Sequence, residues 1–384
     1  MSELLIVIEG SLAGRIRADK SGRLSLNYES AWRDSPQGYA LSVSMPLAQI
    51  IYPHKAVWPY LWNLLPENPN VLQRWGQQYH VSSNNPFKLL AQVGADIAGA
   101  AQLIPPERLE EIQSADHPTI EWMSIDELAE RLRQLRADGA AVRRPGDIGK
   151  MSLPGAQVKT AYYWDQQADR WGVPGGRTPT THIIKPCIPG FDGLVENEHL
   201  CQEVAARLGM SAARSSVLAL DQTYIVVERY DRLPPLPGSQ FTQRIHQEDT
   251  CQALSLMPTK KYQEDGGPSI AQIVTLIRRV SAEPEVDVER FPMKSRPCAT
   301  RPSLMDCPRK PLHRLPASSS DMRMSASRLL QRSGQKESHI PQEPGAVNGS
   351  FEPSDRATAH ERAFARRSST MPPGNGLVVA TQGQ

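Results

Sequence analysis

The aromatic residues of this 384-residue chain stop abruptly near residue 290. All 7 Trp and all 10 Tyr lie before residue 291, and only Phe291, Phe351 and Phe364 follow in the last 94 positions. The same segment holds 11 Pro and 13 Ser. Because so few large apolar groups cannot offset the backbone entropy of ordering the segment, we expect residues 291–384 to form a mostly disordered tail rich in Arg, Ser and Pro. The functional part of the chain should therefore precede residue 291.

The charge balance changes at the same place. Residues 1–290 carry 29 Lys and Arg against 34 Asp and Glu, whereas residues 291–384 carry 14 against 7. The whole chain is nearly neutral, at +2, which disfavours a broad electrostatic attraction to nucleic acid or to an anionic membrane. Its 39% hydrophobic and 22% charged composition is typical of soluble proteins and excludes collagen-like chains and coiled coils.

The cysteines and the N-terminus indicate a reduced, cytoplasmic protein. The five cysteines are widely spaced and include no C-x-x-C pair, which disfavours both a zinc site and a disulfide framework. The apolar run at residues 4–8 is too short for a signal peptide. No run approaches the roughly 20 apolar residues that a membrane-spanning helix needs. We therefore expect no contact with a membrane.

Turn residues and hydrophobic periodicity divide residues 1–290 into three parts. Residues 1–105 begin with short β-rich runs between glycine turns and are interpreted as an accessory α+β domain. Residues 106–150 are predicted to be a connecting helical segment, with a capping box at Ser124 and Glu127. Residues 151–290 are predicted to form a second α+β unit, with a hairpin at 151–164, a strand at 181–185, a helix at 197–210, paired strands at 217–220 and 224–229, and a helix near 270–280.

A short turn between two predicted strands is a candidate phosphate site. The turn lies within residues 152–159, where Gly155 and Ala156 allow backbone N–H groups to approach phosphate oxygens and Lys159 adds a positive charge. However, the segment lacks both the G-x-x-x-x-G-K-[ST] and the G-x-G-x-x-G spacing. Taken alone, it is better explained as an ordinary hairpin turn.

A lysine at the end of an apolar strand is a second candidate. Lys185 needs either an anionic partner or solvent. Nucleotide phosphate is one possible partner, and Glu198 in the next helix is another, as in the strand-lysine to helix-glutamate pair of protein kinases. For Lys185 alone, a side chain that reaches water from the sheet edge is an equally good explanation.

The third candidate is a strand that becomes polar at its end. Backbone groups of Glu228, Arg229 and Tyr230 can address the edge of an adenine, while the Tyr230 ring covers the base. Taken singly, these residues are better explained as an exposed strand end, where Glu228, Arg229, Asp231 and Arg232 form surface ion pairs of little energetic value.

The order and spacing of these elements resemble the HipA family, the serine/threonine kinase toxins of bacterial toxin–antitoxin pairs. The resemblance runs in order from about residue 1 to residue 290. Besides the 152–159 loop, the matching stretches are Ser42–Leu47, Leu64–Glu67, Phe87–Leu90, Val93–Gly94, Gly99–Ala100, Pro179–Lys185, Asn197–Glu198, Val227–Arg232, His246–Gln252 and Lys261–Pro268.

The resemblance implies an α+β fold in which the accessory domain precedes a protein-kinase-like small lobe and a truncated large lobe. It implies ATP and Mg²⁺ as cofactors, a helix-turn-helix antitoxin of the HipB type, operator DNA bound through the antitoxin complex, and a protein substrate of the translation machinery. This activity is associated with persistence.

The resemblance also assigns roles to individual residues. Ser152 matches the serine that the family autophosphorylates. A phosphate there would add about −1.5 to −2 charge and is expected to eject the loop and stop ATP binding. The remaining assignments are Pro154, Gly155, Ala156, Gln157, Val158 and Lys159 as the ATP-phosphate loop, Lys185 as the phosphate-contacting lysine, Glu198 as its candidate ion-pair partner, and Glu228, Arg229 and Tyr230 as the adenine hinge.

The family's catalytic loop, Asp-x-His-x-Lys-Asn, is not intact in this chain. The nearest echo, residues 306–311, has Pro308 in place of the His and Pro311 in place of the Asn. Proline offers no side-chain oxygen to Mg²⁺, so the catalytic residues stay unassigned, no metal ligand is named and Asp306 has no catalytic role. The abrupt change near residue 290 is interpreted as out-of-frame translation of a damaged gene.

Two functions are therefore expected. The first is a HipA-like, ATP-dependent serine/threonine kinase toxin whose turnover is impaired because the catalytic loop is missing. The alternative is a catalytically inactive protein that uses residues 1–290 to bind an antitoxin or its operator complex. A remnant without present function is also compatible with the sequence. Because the helix near 270–280 loses its packing partners, we further expect exposed apolar surface near residues 245–280.

Overall fold

The computed structural model describes residues 2–299 and 378–380, with side chains described for residues 2–291. The predictions for the tail and for residues 306–311 therefore lie almost wholly outside the described residues. The chain divides into two units, Met1–Ser295 with Pro373–Gln384, and Arg296–Pro372. Of the second unit, only the last residues of one helix are described.

The accessory segment, residues 1–105, folds around a five-stranded antiparallel sheet of order β4-β3-β2-β1-β5. Two of its helices begin with an Asn cap followed by proline, at Asn68 and Asn85, and both cap side chains accept backbone N–H bonds. The elements are β1 Ser2–Ile8, β2 Ser11–Ala18, β3 Leu24–Tyr28, α1 Ser30–Arg33, β4 Ile51–Pro53, α2 His54–Trp62, α3 Pro69–Gln78, α4 Pro86–Val93 and β5 Ala101–Ile104.

The connecting segment is not wholly helical, so that prediction is wrong for residues 119–123. A 3₁₀ turn, Pro106–Arg108, and α5, Leu109–Gln113, are followed by strand β6, Thr119–Met123, and helix α6, Ile125–Ala137. Strand β6 pairs with a later strand at Gly172, where a Cβ would lie 2.3 Å from the Ile120 side chain. The missing side chain of Gly172 therefore lets an edge strand from the connecting segment pack closely against the second sheet.

Ser124 caps the N-terminus of helix α6, and its hydroxyl accepts the Glu127 N–H at 3.1 Å. The Glu127 carboxylate bonds to Arg131 at 3.0 Å, so the structure shows the serine half of the predicted capping box. Leu128, Leu132 and Leu135 are buried along one face of the helix.

The second sheet is antiparallel, with order β10-β11-β9-β7-β8-β6. Val217 pairs with Ile225, which confirms the predicted pairing of the two strands that precede the polar strand end. The helix that follows the β9 strand buries Val195 against Ile225 and Val227. The elements are β7 Thr160–Asp165, β8 Arg170–Gly175, β9 His182–Pro186, α7 Leu194–Arg207, β10 Ser215–Ala219 and β11 Thr223–Glu228.

The hairpin predicted over residues 151–164 is wrong. Residues 151–154 form no strand, and β7 pairs with β8 and β9. Met151, Ser152 and Leu153 are buried instead, and Ser152 is hydrogen-bonded to backbone of the accessory segment. Ser152 is thus bonded to the accessory segment, and residues 151–154 do not pair with β7 as the turn pattern predicts.

The remaining described elements are short strands and helices. Helix α9 starts with a capping box in which Ser269 and Gln272 bond reciprocally. Two 3₁₀ turns lie at Pro258–Lys260 and Gln263–Asp265. The elements are β12 Arg232–Leu233, β13 Gln243–Arg244, β14 Gln247–Asp249, α8 Thr250–Ala253, α9 Ile270–Val280, α10 Pro284–Ala299 and β15 Val378–Ala380, which pairs in parallel with β14.

A continuous hydrophobic core joins the two sheets, because one cluster of buried residues runs from Leu4 and Trp75 to Tyr162 and Tyr224. Apolar surface is exposed on α9, where Ile270 is 51% exposed, and more strongly on α7 and its C-cap, where Leu200 is 61% and Leu208 is 73% exposed. Among the described helices, none has the length and apolar character to cross a membrane.

Candidate functional site

The 152–159 loop is held by backbone groups of the accessory segment. The Ser152 side chain is fully buried, and its Oγ donates to the carbonyl of Leu64 at 2.7 Å. Its backbone N–H donates to the carbonyl of Asp96 at 2.9 Å, and the carbonyl of Gly155 accepts the Glu67 N–H at 3.2 Å. The first half of the loop is therefore fixed by residues of the accessory segment.

Gly155 lets the loop turn sharply around its lysine. Its φ of +110° lies in a region that side chains avoid, and a Cβ there would come within 2.9 Å of Lys159 Nζ. Beneath the loop, Val71, Trp75 and Leu153 help to line a cavity of about 20 Å³, enough for about one water molecule. The loop therefore packs closely against these side chains. Of its other members, Ala156 is exposed and Pro154, Gln157 and Val158 are partly buried.

Lys159 lies in an environment that disfavours its charge. Its Nζ donates to the carbonyls of Pro154 at 3.0 Å and Gln157 at 2.7 Å. Burial, together with the positive charges of Lys185 and Lys261, lowers the pKa of Lys159 to about 8. An anion at this place would relieve the repulsion and restore the charge, as a phosphate group would.

Lys261 is a member of this cationic group for which sequence analysis assigned no role. It donates to Glu67 Oε1 at 3.0 Å and therefore links the segment after α8 to the accessory segment beside the loop. The Lys261–Pro268 stretch is one of those that resemble the HipA family. However, nothing in its sequence predicts that Lys261 lies next to the 152–159 loop. Only the fold brings it there.

Lys185 and Glu198, the two side chains named as a candidate ion pair, lie 2.7 Å apart, from Nζ to Oε1. Strand β9 carries the lysine and α7 the glutamate, and both side chains are about one quarter exposed or less. The ion pair thus borders the cationic loop and remains accessible to solvent. It gives Lys185 a partner in the structure while leaving it able to contact a ligand.

The polar strand end, the predicted adenine hinge, has two of its backbone N–H groups bonded within the protein. The Glu228 N–H donates to the Arg214 carbonyl and the Arg229 N–H to the Thr181 carbonyl, both at 2.9 Å. The protein therefore uses both backbone donors itself. Tyr230 is 54% exposed and offers its ring to a ligand. The alternative of surface ion pairs is wrong, because Arg229 and Asp231 are buried, and the hinge role of Glu228, Arg229 and Tyr230 stays a prediction.

Arg229 belongs to a buried charge cluster that sequence analysis missed. Its guanidinium lies 2.8 Å from Asp231 and 3.5 Å from Asp96. Burial alone would raise the pKa of the Asp96 carboxyl, but three arginines hold it well below its usual value. We call these residues the Asp96 cluster; its members are Asp96, Arg229, Asp231, Arg232 and Arg244. In the sequence, the adjacent charges of Asp231 and Arg232 weakly indicate an ion-paired cluster, and nothing indicates that Asp96 belongs to it.

The described residues fit a nucleotide's phosphates better than they fit Mg²⁺. Lys159 lies in the loop and Lys185 and Lys261 lie near enough to lower its pKa, whereas within residues 2–299 and 378–380 no three His, Cys, Asp or Glu side chains are placed to hold a metal ion. Residues 306–311 lie outside the described part. The expected Mg²⁺ therefore finds no ligand set here, and no step is assigned to it.

Comparison with known proteins gives matches across most of the described chain. Residues 4–104 match a HipA N-terminal domain, and residues 151–293 match a HipA-like C-terminal domain. A putative kinase of Sinorhizobium fredii is 36% identical over 282 residues, which are 73% of this chain and 66% of that protein. The serine/threonine-protein kinase toxin HipA of Shewanella oneidensis is 30% identical over 256 residues, which are 63% of this chain and 53% of the toxin.

A solved structure matches as well. It is the Shewanella oneidensis toxin–antitoxin complex of HipA, HipB and operator DNA, matched with a TM-score of 0.58 and 26% identity over 72% of this chain and 64% of the other. The chain thus spans between about half and two thirds of the length of these three proteins.

Proposed function

Since this chain belongs to the HipA family, we propose that it binds ATP phosphates at the 152–159 loop through Lys159 and Lys185. The observation that carries the proposal is the placement of Lys159, whose amine lies within the loop at 3.0 Å and 2.7 Å from the carbonyls of Pro154 and Gln157, while Lys185 lies near enough to lower its pKa. Lys185 and Lys261 each have a glutamate partner, whereas the Lys159 amine donates to uncharged carbonyls, so a phosphate would supply a negative charge in contact with this amine. The exposed ring of Tyr230 is the candidate contact for the base, in place of the occupied backbone donors of Glu228 and Arg229.

We further propose that the loop can be phosphorylated only after it leaves its present position. Ser152 Oγ points at the Leu64 carbonyl at 2.7 Å and is closed to solvent. A phosphate dianion in that place would meet a carbonyl oxygen that carries no proton to donate. In this proposal the buried position of Ser152 belongs to the unphosphorylated chain, which is the state that would bind ATP.

Phosphoryl transfer by this chain is proposed to be weak or absent. The 384 residues contain no Asp-x-His-x-Lys-Asn sequence, and kinases need the aspartate and asparagine to place the substrate hydroxyl and the metal. Incubation with radiolabelled ATP should leave Ser152 unlabelled. Labelling that disappears in Ser152→Ala would show that the chain retains turnover and would overturn this part of the proposal.

ATP binding is tested by isothermal titration calorimetry with three proteins. The intact chain should bind ATP, and Lys185→Met should weaken binding at least tenfold, because one of the two phosphate contacts is lost. Lys150→Met is the matched control, since the Lys150 amine donates to the carbonyls of Arg144 and Pro145 rather than to the loop. An intact chain that fails to bind ATP, or equal losses in both variants, would contradict the proposal.

A second proposed function is binding of an antitoxin, with or without turnover. It rests on the match to HipA in a complex with HipB and operator DNA, which covers 72% of this chain. The partner would be a small helix-turn-helix protein encoded beside this chain. Co-purification of the two proteins as one complex in size-exclusion chromatography would support binding, and separate elution at micromolar concentration would contradict it.

A further inference from the structure

Asp96 lies where several segments of the chain meet. It belongs to the loop between α4 and β5 of the accessory segment, and its side chain is 8% exposed. Its carboxylate accepts bonds from Thr180 Oγ1 at 2.7 Å, Arg232 Nη2 at 2.9 Å and Arg244 Nη1 at 2.7 Å. The proposed ATP contacts do not include this carboxylate.

The backbone of the same loop reaches the phosphate-binding segment. The Asp96 carbonyl accepts the Ser152 N–H at 2.9 Å, and the next carbonyl, that of Ile97, accepts Arg229 Nη2 at 2.9 Å. The backbone N–H of Arg229 in turn donates to Thr181 at 2.9 Å. Residues 96–97 therefore join the start of the phosphate loop, the residues before β9 and the end of β11.

These three segments carry the proposed nucleotide contacts. The phosphate loop carries Lys159, strand β9 carries Lys185 and the end of β11 leads to Tyr230. Because the joining bonds are short and closed to water, they fix the spacing between the segments more firmly than exposed bonds would. A displacement of the Asp96 loop would change all three positions together.

We propose that Asp96 is the positioning residue through which the accessory segment sets the geometry of the ATP site. This inference rests on the proposed function. Asp96 contacts the ligand through no atom of its own; it acts through Ser152, Thr180 and the arginines. The accessory segment is thus a structural part of the nucleotide site as well as a separate sheet.

The charges of the Asp96 cluster explain why a neutral residue at position 96 would not hold the loop in place. The cluster contains three guanidinium groups and two carboxylates, and asparagine at position 96 would leave three positive charges against one negative charge. In a buried site the arginines would then repel one another. The loop at residues 95–99 would shift, and the Ser152 N–H would lose its acceptor.

The test compares Asp96→Asn with Asp147→Asn in the full chain. Asp147 makes a comparably buried pair with Arg131 at 3.0 Å and also accepts the Arg144 N–H, so its variant controls for loss of a buried carboxylate. The readouts are hydrogen exchange of the amides at residues 152–159 and the Kd for ATP. Both variants are expected to lower the melting temperature, which therefore does not distinguish them.

Asp96→Asn should raise amide exchange in residues 152–159 at least tenfold and weaken ATP binding at least tenfold, whereas Asp147→Asn should change each by less than threefold. Equal effects of the two variants on the loop, or no effect of Asp96→Asn, would overturn the inference. The exchange measurement needs no nucleotide. It therefore decides the role of Asp96 even where the intact chain fails to bind ATP, an outcome that would refute the proposed function alone.

Thr180→Val provides a second variant in case Asp96→Asn does not fold. It removes the 2.7 Å bond to the Asp96 carboxylate and the acceptor of Arg229 Nη1 at 2.9 Å, and it keeps the charges of the cluster unchanged. The expected result is the same loop effect on a smaller scale, about threefold in exchange and in Kd. Unchanged exchange at residues 152–159 in a folded Thr180→Val protein would count against Asp96 as a positioning residue.

Discussion

Replacing Lys159 by methionine should stabilise the fold near neutral pH and weaken ATP binding. The pKa of Lys159 is lowered from 10.5 to about 8, first by burial and then by the charge of Lys185. A shift of about 2.5 units corresponds to about 3 kcal/mol that the charged amine costs the folded state below pH 8. Methionine has a similar length and no charge, so it removes this cost.

The variant also loses two hydrogen bonds, to the carbonyls of Pro154 and Gln157, worth about 1 kcal/mol each. The expected net gain at pH 7 is therefore about 1 kcal/mol. Because the folded-state pKa lies below the unfolded-state value, the destabilisation is full below pH 8 and fades as the pH rises towards 10.5. Near pH 10 the natural protein should be the more stable of the two.

The assay is urea unfolding of both proteins at pH 7 and pH 10, followed by tryptophan fluorescence. All seven tryptophans lie before residue 291 and so report on the described fold. The difference in unfolding free energy between the two proteins should change by about 2 to 3 kcal/mol between the two pH values. A change below about 1 kcal/mol would refute the electrostatic account of Lys159. Other titrating groups are common to both proteins and cancel in the difference.

Three further substitutions test other features. Gly155→Ala should destabilise the chain by about 1 to 3 kcal/mol in thermal unfolding, because an alanine is strained at a φ of +110°; Gly146→Ala, in open space, is the control, and equal effects would argue against strain. Ser269→Ala should cost about 1 kcal/mol and speed amide exchange in the first turn of α9; unchanged exchange there would argue against the capping box. Leu200→Lys combined with Leu208→Lys should change stability by less than about 0.5 kcal/mol and reduce light scattering on concentration, and strong destabilisation would show that this surface is covered.

The family and the α+β fold class could be predicted from the sequence, and the matches confirm both. Local patterns carried these predictions: the alternating strands, the leucine-spaced face of α6 and the order of loop, lysine and glutamate. The close approach of Lys185 and Glu198 could be predicted in the same way, because the strand that carries the lysine and the helix that carries the glutamate follow each other directly in the chain.

The errors concern contacts between distant parts of the chain. The hairpin at 151–164 failed because Ser152 bonds to Leu64 and Asp96, more than 50 residues away in the sequence. The charges of the strand end at Arg229 suggest exposure, whereas Asp231 and, from the accessory segment, Asp96 neutralise this arginine in the interior. No local periodicity encodes such a partner.

Strand β6 changes where this chain can be divided. It is the outer strand of the second sheet and comes from the segment that precedes residue 151. A fragment beginning at residue 151 would leave β8 with an open row of backbone donors and acceptors, which invites pairing with other molecules and aggregation. A fragment that begins before Thr119 would keep that edge closed. When related proteins recombine, we therefore expect the exchanged segment that contains the second sheet to start before β6 and not at residue 151.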